Sequence, residues 1–159
     1  MRNIIFDLDG TLVHSLPGIE ESARMAITRV MPDVTMPDLR PLIGPPIAVM
    51  FAKLWPELEA GRMVSLLAEF RAHYDETGCL LSESYPRVLE ILGRLRGAGV
   101  RLFVLTNKPI RPARKILSYL GFLDFFAEVV ALNSTQPPFV SKTEGARFLK
   151  ENFNLSPGS

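Results

Sequence analysis

Two short and nearly unbroken apolar runs, "NIIF" at 3–6 and "RLFVL" at 101–105, constrain the fold of this chain more than any other feature. A strand that is apolar along its whole length has no solvent side, and such strands belong to parallel sheets covered by helices. Residues 2–7 therefore read as a fully buried strand, and "VRLFVLTN" at 100–107 as a second one. Parallel strands cannot be joined by a tight turn, so a crossover has to lie between them. The intervening segment is long and punctuated as helices are. Ser15-Leu16-Pro17 reads as an N-cap with proline in the first turn, opening a helix through about residue 30. Pro32, Pro37, Pro41, Pro45 and Pro46 then divide the chain, with brief helices expected over 37–43 and 46–54. Between Gly61 and Thr77, Met63, Leu66, Leu67, Phe70 and Tyr74 recur at helical spacing, a stripe that reads as core.

The pattern changes after Ser84. Val88, Ile91, Leu92 and Leu95 outline an amphipathic helix ending at Gly97–Gly99. A helix is expected over 112–120, a third strand over 127–132 and a last helix over 141–152, with Ala146, Leu149 and Phe153 on one face. Strands alternating with helices imply βαβ units, right-handed crossovers and a parallel sheet. The expected fold class is thus α/β, with a helical block inserted after the first strand. At 159 residues and 47% apolar content, one domain with a small insertion fits.

Several function classes are excluded by composition. A net charge of +1 with no Lys/Arg run argues against nucleic-acid binding. No stretch approaches the roughly 18 apolar residues of a membrane span. Asp7 and Asp9 interrupt the N-terminal apolar run, unlike the layout of a signal peptide. The single Cys79 can form no internal disulfide and reads as a small buried residue. The expectation is a soluble, cytoplasmic protein.

The chemistry starts where the first strand ends, in "DLDGT". Side chains two apart on a strand face the same way, so Asp7 and Asp9 repel each other unless something positive sits between them. Ligand sites in open α/β sheets lie beyond the carboxyl ends of the strands, which brings Asp7 together with Thr106 and Asn107. A carboxylate pair there suits Mg²⁺, which prefers carboxylate and phosphate oxygens. One Asp could attack phosphorus as a nucleophile, and the other could protonate the leaving oxygen and later deprotonate water. Gly10 would turn the backbone so that amides point at the phosphate, and the Thr106 hydroxyl would donate to it. A lysine from a third segment would offset charge on the phosphoryl group.

"DLDGTLVHS" resembles the DxDGT motif of the haloacid dehalogenase-like hydrolase superfamily, whose members are mostly magnesium-dependent phosphatases. "LFVLTN" is similar to its second motif, and Lys142 in "VSKTEGARFLKE" falls where the third-motif lysine belongs, although Thr143 stands where many relatives have proline. The resemblance implies that Asp7 is the nucleophile and Asp9 the general acid/base. It makes Gly10, Thr106, Asn107 and Lys142 phosphate binders, and Asp7 and Asp9 the Mg²⁺ ligands, Asp9 through its backbone. His14 stands where relatives usually carry an acidic residue and reads as a tolerated change; His73 reads as a surface or cap residue. "RPLIGPPIAVMF" at 40–51 resembles a segment of the small helical cap in the phosphoglycolate phosphatase-like branch. By this resemblance the fold is a Rossmann-like parallel sheet core, residues 1–15 plus 81–159, with an all-helical cap at 16–80. Two connecting strands are expected at about 12–15 and 81–85, with the Gly44-Pro45-Pro46 turn facing the substrate crevice.

One family element has no counterpart. The fourth motif is an acidic pair after a further strand, whereas the acids after Asp124 are Glu128, Glu144 and Glu151, none at a strand end. The core thus reads as C-terminally truncated, with one flank of the first strand exposed and open to self-association. Two functional expectations follow. The first is a Mg²⁺-dependent phosphatase acting on a small phosphomonoester such as phosphoglycolate through an aspartyl-phosphate, with activity of this short chain weak or absent. The second is an impaired protein that binds a phosphorylated ligand or a partner. A phosphomutase would use the same carboxylates, whereas Asp9 disfavours dehalogenase chemistry.

Overall fold

The computed structural model describes residues 2–155. They form two compact units, one running up to His14 and resuming at Glu83, the other spanning Ser15–Ser82. Residue 1 and residues 156–159, which the sequence reading assigned to the core, lie outside the described residues.

The first unit is α/β. Strands β1 (Asn3–Phe6), β4 (Arg101–Thr106) and β5 (Phe126–Ala131) form a parallel sheet in the order β1-β4-β5. Helices α4 (Val88–Gly97), α5 (Ile110–Tyr119) and α6 (Lys142–Phe153) connect and follow them. A two-residue antiparallel pair, β2 (Val13–His14) with β3 (Glu83–Ser84), sits where the chain leaves and re-enters this unit. β4 has a parallel neighbour on each side, and Leu102 to Thr106 are all buried, which explains its uninterrupted apolar run.

β1 departs from the expected full burial. β4 pairs with one side of it, no described strand pairs with the other, and Ile5 is 40% exposed. An edge strand retains an open flank. The α4 stripe is also narrower than its spacing suggests: Val88 and Leu92, one turn apart, are buried, whereas Ile91 is exposed.

α6 packs tightly on the sheet. Leu149 joins Phe103, Leu105, Val130 and Leu155 in one cluster. At Gly145 a β-carbon would stand 2.6 Å from Leu105 Cδ1, so glycine permits the close approach of helix to strand. The helix start is fixed by reciprocal bonds, Ser141 Oγ accepting from the Glu144 amide at 3.4 Å and Glu144 Oε2 accepting from the Val140 amide at 2.9 Å.

The second unit is helical: α1 (Leu16–Val30), α2 (Ile47–Leu54) and α3 (Ala60–Glu76). The expected helix over 37–43 is reduced to a single 3-10 turn, Arg40–Leu42, because Pro37 and Pro41 leave too few amide donors for more. Leu66, Phe70 and Tyr74 are buried as their spacing predicts, and Phe70 stacks on Tyr74 with ring centroids 5.3 Å apart. Ser15 occupies the α1 N-cap position without the expected side-chain bond; its hydroxyl is buried and unpartnered, and Pro17 alone supplies the start signal. Cys79 is buried. His73 belongs to this helical unit and contacts the buried Ser22, with Nδ1 2.9 Å from the hydroxyl oxygen. No helix among the described residues is long and apolar enough to cross a membrane.

α1 crosses the 3-10 turn Gly78–Leu81 at two glycines, and a β-carbon on Gly18 would lie 1.9 Å from the Gly78 carbonyl oxygen. Backbone cannot yield as a flexible side chain does, so Gly18→Ala is expected to destabilise the protein by at least about 1–3 kcal/mol. Gly93, inside α4, would meet nothing within 4 Å, and Gly93→Ala is expected to stabilise by about 0.5–1 kcal/mol through helix propensity. Urea unfolding of both variants reads the contrast, and equal effects would contradict the packing described.

Candidate active site

Asp7 directly follows β1, and Phe6 is in register with Val104, so Asp7 and Thr106 emerge at the same, carboxyl end of the sheet. Parallel strands make this inevitable once both segments are strands. The capped start of α6 brings Lys142 to the same place from far along the chain. Its Nζ donates to Asp7 Oδ2 at 2.5 Å, and Asp7 Oδ1 accepts from the Leu8 amide at 2.8 Å. Both carboxylate oxygens are thereby oriented, while the Asp7 side chain keeps 39% of its exposure.

Asp9 has a different counter-ion. Lys108, two residues beyond β4, places Nζ 3.3 Å from Asp9 Oδ2, with side-chain exposures of 5% for the lysine and 16% for the aspartate. The sequence reading missed Lys108. The available signal was a lysine immediately after the strand-end "TN", a position that the sheet must turn toward the same crevice. The two ion pairs differ in kind. An exposed pair contributes about 0–1 kcal/mol, whereas removing one partner of a buried pair costs about 3–5 kcal/mol because the remaining charge is stranded.

Thr106 is buried, and its Oγ1 accepts the Lys108 amide at 3.1 Å. A hydroxyl that accepts in this way still has its own hydrogen to donate. Asn107 follows, half-buried. Gly10 adopts a left-handed φ of +76° and makes the turn expected of it, with its amide donating to the Val13 carbonyl at 2.9 Å. His14 packs against Tyr85, with ring centroids 6.1 Å apart.

The carboxylate pair fits a Mg²⁺ ion in its donor chemistry. Mg²⁺ typically takes one or two carboxylates, with waters and substrate phosphate completing its shell. Asp9 Oδ1 is buried without a hydrogen-bond partner, an oxygen awaiting a donor or a cation. No group of three or more His, Cys, Asp and Glu side chains gathers as a metal cage among the described residues. Two of the later acids are committed elsewhere. Glu128 Oε1 accepts from Arg114 at 2.6 Å and from the Val129 amide at 2.9 Å, and Glu144 caps α6.

Residues 4–141 match the family model described as haloacid dehalogenase-like hydrolase. A phosphoglycolate phosphatase from Rhodospirillum rubrum is 36% identical over 145 residues, covering 81% of this chain and 57% of the relative. One from Cereibacter sphaeroides is 32% identical over 139 residues, covering 84% of this chain and 64% of the relative. The chain thus spans roughly three-fifths of the length of the curated relatives it matches. A solved structure from Haemophilus somnus, described as a predicted phosphoglycolate phosphatase, superposes with a TM-score of 0.83 at 28% identity, covering 98% of this chain and 72% of that one. A family match across residues 4–141 and relatives more than 30% identical over four-fifths of its length lead to one conclusion: the chain belongs to the haloacid dehalogenase-like hydrolases.

Proposed function

We propose that this chain carries the phosphoryl-transfer site of a phosphoric monoester hydrolase, with phosphoglycolate, the substrate in its relatives' names, as the first candidate. The observation that carries the reading is the 2.5 Å contact between Lys142 and Asp7, which joins a strand-end carboxylate to a cation from a segment 135 residues away. Asp7 is exposed enough to meet a phosphate, and its orientation is fixed at both oxygens.

In this mechanism an Asp7 oxygen attacks phosphorus as the bond to the leaving oxygen breaks, giving an aspartyl-phosphate. Asp9 donates its proton to the leaving oxygen. Water then attacks phosphorus, Asp9 takes the water's proton, and the Asp7 carboxylate is regenerated. Lys142 turns from a counter-ion of Asp7 into a shared partner of the phosphoryl oxygens, and the Thr106 hydroxyl donates to the same group. Mg²⁺, held by Asp7 and Asp9, would supply neutralising charge for those oxygens. Asn107 lies at the rim of the same strand end as a further polar contact.

A second reading, binding of a phosphorylated ligand without turnover, is favoured by the commitment of Glu128 and Glu144 to other partners, which leaves the metal only the Asp7 carboxylate and the Asp9 backbone as protein ligands. The open flank of β1, with Ile5 exposed, supports self-association. Concentration-dependent sedimentation that Ile5→Lys abolishes is the expected outcome, and a strict monomer at all concentrations would remove that idea.

Phosphate release from a panel of phosphomonoesters, with and without Mg²⁺, separates the two main readings. Asp7→Asn is expected to abolish both turnover and the phosphorylated Asp7 peptide recovered after acid quench. Asp9→Asn is expected to lower kcat by about 10²–10⁴-fold, the usual contribution of a general acid. Lys142→Ala should cost about 10²–10³-fold in kcat, as removal of one preorganised electrostatic donor does. Turnover that survives Asp7→Asn rejects the mechanism. Calorimetric phosphate-ester binding without any release selects the second reading.

A further inference from the structure

Lys142 is the first residue of α6, and the first turn of a helix is where fraying begins. Here that turn is tied on both sides. The Ser141 hydroxyl oxygen accepts from the Glu144 amide at 3.4 Å, and the Ser141 carbonyl accepts from the Gly145 amide at 3.3 Å. Glu144 Oε2 reaches back one turn to accept from the Val140 amide at 2.9 Å. We propose that Glu144 is a positioning residue for phosphate recognition: its carboxylate holds the first turn of α6 so that the Lys142 ammonium stands ready for a phosphoryl oxygen beside Asp7. The proposal rests on the hydrolase reading given above.

Three observations carry it. Lys142 Nζ meets Asp7 Oδ2 at 2.5 Å, yet its side chain keeps 35% exposure, so packing along the stem does little to fix its course. A flexible four-carbon stem holds its ammonium in one place only if its base is fixed, since each free torsion costs entropy when a contact forms. Val140 is 83% exposed, so packing does not hold the residue whose amide Glu144 accepts, and the carboxylate is what joins it to the helix. The seat of Gly145 on Leu105 sets the height of the rod but lies beyond the turn that bears the lysine. Seat and cap are therefore separate restraints: the seat places the helix, and Glu144 keeps its first turn wound. Glu144 bonds a backbone amide and acts on the phosphate through Lys142 alone.

Glu144→Ala removes the acceptor, whereas Glu144→Gln keeps one in its amide oxygen. The alanine variant is expected to lower kcat/KM on phosphomonoesters by about 10–100-fold, the scale of a reacting group displaced by about 1 Å, with the glutamine variant near the parent. The loss should vanish in a Lys142→Ala background, because a residue that works through the lysine then has nothing to position. Glu59→Ala separates this from mere stability. Glu59 caps α3 in the helical unit through the amides of Gly61 and Arg62, at 2.8 and 3.2 Å, and its removal should leave kcat/KM unchanged. A loss that multiplies with that of Lys142→Ala, or equal losses in Glu59→Ala and Glu144→Ala, would overturn the proposal. Crystal structures of the two Glu144 variants read the placement without turnover. The contact between Lys142 Nζ and Asp7 Oδ2 is expected to open in the alanine variant and persist in the glutamine variant, and a contact unchanged in both rejects the role. Failure of the hydrolase reading shows itself separately, as no turnover or turnover that Asp7→Asn leaves intact, while the lysine contact still follows Glu144.

Discussion

Two like charges at the end of one strand are the constraint around which the α/β unit is organised. Asp7 directly follows β1 and Asp9 lies two residues further on, so two carboxylates stand close together at the carboxyl end of the sheet and repel each other there. The fold answers with two lysines from two other segments. Lys108 comes from the end of β4 and Lys142 from the start of α6, so the charges cancel pairwise at the sheet's carboxyl end. The sheet order β1-β4-β5 and the close seating of α6 can be understood as what delivers those two ammonium groups.

The two pairs are not equivalent. The pair with Lys142 is open to solvent, and a lysine there can exchange one anion for another at little cost. The pair with Lys108 is withdrawn from water, where exchange is expensive and geometry persists.

Most of the fold and the exposed half of the site could be read from residue order. The runs at β1 and β4, the glycine stops and the Leu66, Phe70 and Tyr74 stripe carry periodic signals that burial then satisfies. Asp7, Asp9, Thr106 and Lys142 stand at strand and helix ends, where position alone indicates chemistry. What escaped has no periodicity. The contact between Ser22 and His73 joins residues 51 apart through one hydroxyl, and the passage of Gly18 over Gly78 depends on missing atoms. Lys108 escaped because a lysine after a strand is ordinarily a solvated one; its burial exists only once Asp9 lies opposite. The burial expected of Ile5 failed because a run of apolar residues cannot say whether a second neighbouring strand is present.

The glycine at position 145 gives the site an unexpected sensitivity. Lys142 sits one turn before Gly145 on the same rigid rod, and the height of that rod above the sheet is set by the gap to Leu105. A methyl group added at 145 touches no charged atom, yet either Leu105 turns aside or the helix end that carries the ammonium shifts. The reach of the cation toward Asp7 is thus gauged in the hydrocarbon interior, as a spacer sets the gap of a switch contact. Sequence drift in this protein is therefore freer along the water-facing side of α6 than beneath it, where volume and electrostatics are one variable.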